Sequence, residues 1–116
     1  MRALATAALA IGIGLSFSAS AETYAGSGEI IRGDYAAAER LLAAERRLSP
    51  DNAEVMLNLA VVYVQTGRSG AAQGLYQDVL ARPDEELTLA NGAFVSSHDL
   101  AGKALQHLGD PALASR

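Results

Sequence analysis

Residues 56–63, MLNLAVVY, and residues 67–76, GRSGAAQGLY, decide the fold. The first stretch repeats apolar residues every three or four positions, which is typical of a helix, and Gly67 is expected to end that helix in a left-handed conformation. Three pairs of residues share an offset of 34 positions: Gly33 with Gly67, Ala38 with Ala72, and Leu42 with Tyr76. An offset of this length between helical segments indicates an internal helical repeat.

These residues resemble the signature of the tetratricopeptide repeat family. Met56-x-x-Leu59-Ala60-x-x-Tyr63 resembles the first helix of a repeat, Ala72-x-x-x-Tyr76 and Ala38-x-x-x-Leu42 resemble the second helix, and residues 50–54 resemble the turn between repeats. The resemblance covers residues 33–83 and implies about one and a half repeats in a mainly α fold. The open alternative is a generic three-helix bundle, because helical periodicity alone produces part of this spacing.

The periodicity predicts three helices in the repeat region, residues 34–83. They span about 35–48, 53–66 and 70–82, and prolines at positions 50 and 83 follow the first and third. We expect Asp34 and Ser69 to cap the first and third helices, and Asp51 with Glu54 to form a capping box at the second. Residues 22–33 show no apolar period, so we interpret them as an irregular lead-in.

Residues 84–116 are interpreted as a small β-hairpin, a terminal helix and a tail. Asn91-Gly92 lies between two runs of alternating apolar residues, which predicts a hairpin over 86–96 with a type I′ turn. The alternative is that 86–96 begin a third repeat helix, as short apolar runs are ambiguous. Ser96 or Ser97 is expected to cap a last helix over 98–108.

The leading segment, residues 1–21, matches a secretory signal peptide. Arg2 supplies a positive charge, residues 4–17 are apolar, and Ala19-Ser20-Ala21 offers a cleavage site before Glu22. The competing interpretation is a membrane anchor, but the apolar run is shorter than the ~20 residues that a spanning helix needs. We therefore expect export, most simply to a bacterial periplasm, without stable membrane insertion.

The composition disfavours several kinds of partner. The formal net charge is −4, and removal of Arg2 with the leader would make it −5. An acidic chain with two Phe and no Trp lacks the basic stripe and the aromatic platforms of nucleic-acid binders. The absence of Cys excludes disulfides, thiolate zinc sites and a Cys nucleophile.

Candidate catalytic and metal-ligating groups are few. His98 and His107 are nine residues apart on one predicted helix, on opposite sides of its axis, so they cannot bind one metal together. Residues 84–86, DEE, lack the alternating spacing of a calcium loop, and residues 96–99, SSHD, are better explained as a helix cap than as a hydrolytic triad. The sequence therefore predicts no enzyme, no catalytic residue, no metal and no cofactor.

Binding of another protein is the favoured function. In the family that the sequence resembles, first helices line a concave groove that holds an extended segment of a partner. That resemblance implies six partner-binding residues: Glu54, Leu57, Asn58, Val61, Val64 and Gln65. Asn58 can hydrogen-bond a peptide backbone, and the apolar members can form the floor. The alternative is that Leu57, Val61 and Val64 pack under the lead-in and the last helix.

Two functional hypotheses follow from this pattern. One is an adaptor that acts in the bacterial cell envelope, with an unidentified protein or peptide segment as its partner. The other is a structural homo-oligomer that pairs through its repeat face.

Overall fold

The computed structural model describes residues 26–89 and 91–109, so the predicted leader, residues 1–21, lies outside the described residues. The elements follow one another along the chain as α1 (Ser27–Arg32), α2 (Tyr35–Leu48), α3 (Ala53–Gln65), α4 (Ser69–Leu80), β1 (Glu86–Thr88), β2 (Phe94–Ser96) and α5 (Ser97–Leu108). The predicted class, mainly α with repeat-like helix pairs, a hairpin and a terminal helix, is confirmed. Among the described residues, every helix is too short or too polar to cross a bilayer.

The starts of α2 and α3 are capped by side chains. Asp34 accepts a hydrogen bond from the backbone N–H of Ala37, as expected. At α3 the cap is Asn52, whose Oδ1 accepts from the N–H of Val55 at 3.1 Å. The predicted capping box of Asp51 with Glu54 is wrong, because Asn52, not Asp51, is the residue directly before the helix and provides the side-chain cap. The expected cap of α4 by Ser69 is wrong, because Ser69 is already the first residue of that helix and the residue before it, Arg68, forms no side-chain cap.

The helix α1 corrects the prediction of an irregular lead-in over residues 27–32, whereas residues 22–25 of that lead-in lie outside the described residues. The backbone N–H groups of Gly33 and Asp34 donate to the carbonyls of Ile30 and Glu29, at 3.0 and 2.8 Å. The same pair of bonds ends α3, where Gly67 donates to Val64 at 3.2 Å and Arg68 to Tyr63 at 2.7 Å. Both ends are Schellman motifs, so the end of α1 corresponds to the end of α3, the first helix of the following repeat.

The two glycines at these helix ends have the same backbone conformation. Gly33 has φ 81° and Gly67 has φ 80°, and α2 and α4 each begin two residues after one of these glycines. A left-handed conformation is readily adopted only by glycine. The 34-residue period of the sequence is thus a period of backbone conformation as well.

The core lies around α3, which packs between α2 and α4. Its Ala60 is fully buried, as are Ala38 of α2 and Ala72 of α4, and small side chains at these points let the helices approach closely. The last helix, α5, packs against α4 and touches α3. This is the place where the first helix of a third repeat would stack.

The hairpin of β1 and β2 is confirmed, and the alternative of a third repeat helix over 86–96 is wrong. The strands are antiparallel, with Leu87 opposite Val95 and Thr88 opposite Phe94. The turn is not type I′, because Gly92 has positive φ, 88°, whereas Asn91 does not. Asn91 instead accepts a hydrogen bond from the N–H of Ala93, so its side chain takes part in a longer turn.

Candidate partner-binding surfaces

The helix α3 carries all six residues that the sequence assigns to a partner. They fall into two groups by exposure. Four are buried: Glu54, Leu57, Asn58 and Val61, with exposed fractions of 6%, 4%, 0% and 6%. The other two lie toward the end of the helix, where Val64 is half-buried and Gln65 is exposed.

The expectation that this face stays open is wrong for its first four residues. Leu57 and Val61 belong to one apolar cluster with Ile30 of α1, Leu87 of β1 and Ala101 of α5. They are buried because a short chain must cover the ends of its own repeat stack. The alternative that these two pack in the core is the one that the structure supports, and their role in binding a partner stays a prediction.

The exposed end of α3 is held in place by a cluster around Arg68. The Arg68 guanidinium donates two hydrogen bonds to the Glu39 carboxylate, at 3.0 and 2.6 Å, and lies 4.6 Å from the centre of the Tyr63 ring. It also donates to the hydroxyl of Thr66. The hydrogen bond from Arg68 lowers the pKa of Glu39. This arginine is therefore engaged within the chain and is not free to bind a partner's carboxylate beside Gln65.

Residues 96–99 form a helix start, as the sequence predicts. The Asp84 carboxylate accepts hydrogen bonds from the Ser96 hydroxyl at 2.6 Å and from the His98 backbone N–H at 3.0 Å. These bonds lower the pKa of Asp84. The His98 ring donates from Nε2 to the carbonyl of Arg82 at 2.6 Å, which ties α5 to the end of α4. The side chains of Asp84, Ser96 and His98 thus stabilise the start of α5 and its contact with the end of α4.

A second candidate surface lies on α2, at residues that helical spacing alone assigns to the core. Leu41 and Leu48 fit the helical spacing of α2, yet they are 41% and 80% exposed. The signal was present, because Ala37, Leu41, Ala44 and Leu48 form a second apolar stripe beside the buried residues of α2. We call these four residues the outer stripe of α2.

Comparison with protein families agrees with this geometry. Residues 29–93 match the family model of the tetratricopeptide repeat, which is more than half of the chain. The match begins inside α1, in keeping with the Schellman motif that relates α1 to α3. The chain belongs to the tetratricopeptide repeat family. No curated protein and no solved structure matches it.

Membership of this family indicates the general role. Tetratricopeptide repeats mediate protein–protein interactions and are typically not catalytic. The stacked pairs α1–α2 and α3–α4 provide the scaffold for such a role, because adjoining repeats present side chains over an extended surface. Among the residues that the structure describes, the accessible parts of that surface include the end of α3 at Gln65 and the outer stripe of α2.

Proposed function

We propose that this chain is an exported adaptor that binds another protein in the bacterial cell envelope. The observation that carries the proposal is the stacking of two helix pairs, α1–α2 and α3–α4, whose first helices end in the same Schellman motif, at Gly33 and at Gly67. Such stacking builds an extended recognition surface. Export is supported by the sequence of residues 1–21, which has the charge, apolar run and small residues of a secretory signal.

The partner site that we propose is the α3 face of the mature chain, approached from its accessible end. Gln65 is exposed and Val64 is half-buried, so an extended segment can meet these two residues first. Glu54, Leu57, Asn58 and Val61 continue the same face toward the start of the helix. They contribute to binding only where a partner displaces what covers them.

Site-specific photocrosslinking in the native envelope tests this site. A photoreactive residue in place of Gln65 should give a discrete crosslinked product. The matched control is Gln77, an exposed glutamine on α4, the second helix of the same repeat. Equal products from both positions, or none from Gln65, would show that the end of α3 does not meet a partner.

A test of export accompanies this experiment. The mature chain should begin at Glu22, since the small-residue triplet ends at Ala21. Mass spectrometry of the periplasmic fraction measures the mass and the first residue of the chain. A full-length species retained in membranes contradicts the proposed export, independently of the crosslinking result.

The second candidate function is a structural homo-oligomer. It is favoured by two large apolar side chains on the surface, Leu48 at 80% and Phe94 at 67% exposed. Light scattering on the exported chain separates the candidates. A monomer across the concentration range supports the adaptor, whereas a dimer or a larger assembly supports the oligomer.

A further inference from the structure

The outer stripe of α2 is distinct from the apolar side of α2 that enters the core. Ala38 and Leu42 are fully buried, and Leu42 lies against Gly26 at the start of α1. Leu41 and Leu48 face a different direction and are exposed. A surface helix usually presents one apolar stripe to its own core, so a second stripe on the same helix needs another explanation.

The direction of the outer stripe follows from a contact on the other side of α2. The Arg46 guanidinium lies 3.2 Å from the carboxylate of Asp78 on α4. At 100° per residue, Leu41 lies about 140° around the helix from Arg46, and Leu48 lies about 160° from it. The stripe therefore faces away from α4, toward the place where the second helix of a preceding repeat would stack.

The shape of the stripe suits another helix. Its four residues, Ala37, Leu41, Ala44 and Leu48, are spaced by four, three and four positions, which is the spacing of a coiled-coil seam. The two alanines let a partner helix approach closely, and the two leucines offer side chains that interlock with it. The stripe is three turns long, which is enough for a short amphipathic helix.

The charge beside the stripe identifies the chemistry of the partner. Arg40 and Arg47 are exposed and lie along one edge of the stripe, seven residues apart. Neither forms an ion pair with any residue that the structure describes, although the chain as a whole has a net charge of −4. Charges that flank an apolar seam select the partner. Two unpaired arginines select carboxylates.

A second copy of this chain is a poorer fit to the same edge. The far side of α4, which would meet the stripe in a head-to-tail stack, carries Ser69, Gln73 and Leu80 and no charge. An antiparallel pair of α2 helices would bring the arginines of the two copies together, and like charges across a helix pair are destabilising.

We propose that the outer stripe of α2, with Arg40 and Arg47, docks an amphipathic helix of a partner protein whose apolar seam is flanked by Asp or Glu. This surface goes beyond the α3 face proposed above, and binding at one does not require binding at the other. The contact uses an accessible apolar stripe for affinity and the two arginines for choice of partner and orientation.

Titration of the exported chain with synthetic helical peptides tests the proposal. The acidic peptide is about 18 residues long, with a Leu/Ala seam flanked by Glu, and the comparison peptide carries Lys at the same flanking positions. Fluorescence anisotropy should show about ten-fold tighter binding of the acidic peptide. Its affinity should fall as salt rises from ~50 to ~500 mM, because exposed charges are screened.

Charge reversal gives the decisive variant. Arg40→Glu with Arg47→Glu should reverse the preference, so that the Lys peptide binds more tightly than the Glu peptide. Both arginines are exposed, so the fold should be retained, which circular dichroism verifies. An unchanged preference in the folded double variant would overturn the proposal, and so would equal binding of both peptides by the wild-type chain.

Matched leucine variants locate the contact. Leu41→Glu should abolish binding of the acidic peptide, whereas Leu80→Glu on α4 should leave it unchanged. The two leucines are comparably exposed, at 41% and 37%. Equal loss in both variants places the contact elsewhere and overturns the proposal.

Two further measurements separate this surface from other outcomes. Light scattering that shows an assembly disrupted by Leu48→Glu would make a second copy the occupant of the stripe and overturn the proposal. Crosslinking from Gln65 in the presence of the acidic peptide should be unchanged, since the two surfaces are separate. Competition by the peptide at Gln65 would show that it binds the α3 face instead.

Discussion

The helices α2 and α4 occupy equivalent positions in the two repeats and differ in what covers them. Each begins after a left-handed glycine and buries an alanine followed by a large side chain four residues later. Leu75 of α4, however, is 4% exposed, whereas its counterpart Leu41 is 41% exposed. Val79 of α4 is buried, and its counterpart in α2 is the half-buried Glu45.

The difference comes from the neighbours of each helix. α4 packs against both α3 and α5, whereas α2 packs against α3 and the six-residue α1. The two repeats therefore use similar residues at the positions that pack inside a repeat. At the outer positions, the residue type and its exposure depend on which element packs against the helix. The comparison predicts that equivalent substitutions have unequal effects, except at positions that serve the repeat backbone.

The largest effect is expected at the leucine pair. Leu75→Ala should lower the free energy of unfolding by about 3 kcal/mol, because it leaves a cavity beneath α4. Leu41→Ala should lower it by less than about 0.5 kcal/mol, since the side chain is already exposed. Denaturant melts measure both. Similar losses would mean that α2 and α4 are equally covered in solution.

A second difference appears at alkaline pH, at the large side chain of each helix. Burial raises the pKa of Tyr76 to about 12, whereas the equivalent Leu42 does not titrate. The pKa of Tyr76 in the folded chain lies above its value near 10 in the unfolded chain. The neutral phenol therefore makes its full contribution to the free energy of unfolding below pH 10, and this contribution is lost as the pH rises toward 12. The loss amounts to roughly 2 to 3 kcal/mol.

Tyr76→Phe provides the control for this effect. It lacks the phenol and should lose less stability than the wild type between pH 9 and about pH 11.5 in denaturant melts. Parallel losses in the two proteins would mean that the Tyr76 phenol is solvated in the folded chain.

The backbone positions should behave alike in the two repeats. Gly33→Ala and Gly67→Ala should each cost about 1 kcal/mol, because positive φ strains a residue with a Cβ atom, and nothing lies within 4 Å of either new Cβ. Gly74→Ala, inside α4 and also without neighbours, should stabilise by up to about 1 kcal/mol. Unequal costs at Gly33 and Gly67 would show that the two helix ends are not equivalent.

The smallest effect is expected at the helix starts in acid. Asp84 caps α5 with a lowered pKa, whereas Asn52 caps α3 without a titrating group. The ionised Asp84 carboxylate stabilises the start of α5 fully above the ordinary carboxyl pKa near 4. This stabilisation is lost as the pH falls through the lowered pKa of Asp84. NMR should show the amide of His98 shifting in this range while that of Val55 stays constant. Equal shifts would indicate general acid unfolding.

The sequence predicts most of the architecture because its signals are local. The bounds of α2 match the prediction, and those of α3 and α4 differ from it by one or two residues. The agreement is good because Gly and Pro have restricted backbone preferences that mark the ends of helices. The hairpin is likewise predicted by Asn91-Gly92. The short α1 is missed because six residues between Gly26 and Gly33 hold too little of a helical period to be recognised.

The candidate surface is less accessible to sequence reasoning. Helical spacing shows that Leu57, Asn58 and Val61 share a face, but it does not show what packs on that face. The same limit applies to Leu41, which spacing alone assigns to the core. Exposure depends on contacts between distant segments, and the family resemblance describes longer repeat stacks than this one.

The base of the hairpin has a consequence for protein engineering. The backbone N–H of Ser97 donates to the carbonyl of Glu85 at 2.8 Å, and the N–H of Glu85 donates to the Ser97 hydroxyl at 3.0 Å. These two hydrogen bonds hold the start of α5 in place whatever the length of the hairpin between Glu85 and Ser97. Lengthening a loop whose ends are already held together costs little entropy. The exposed tip at Asn91 and Gly92 is therefore a suitable site for inserting an epitope tag or a reporter domain.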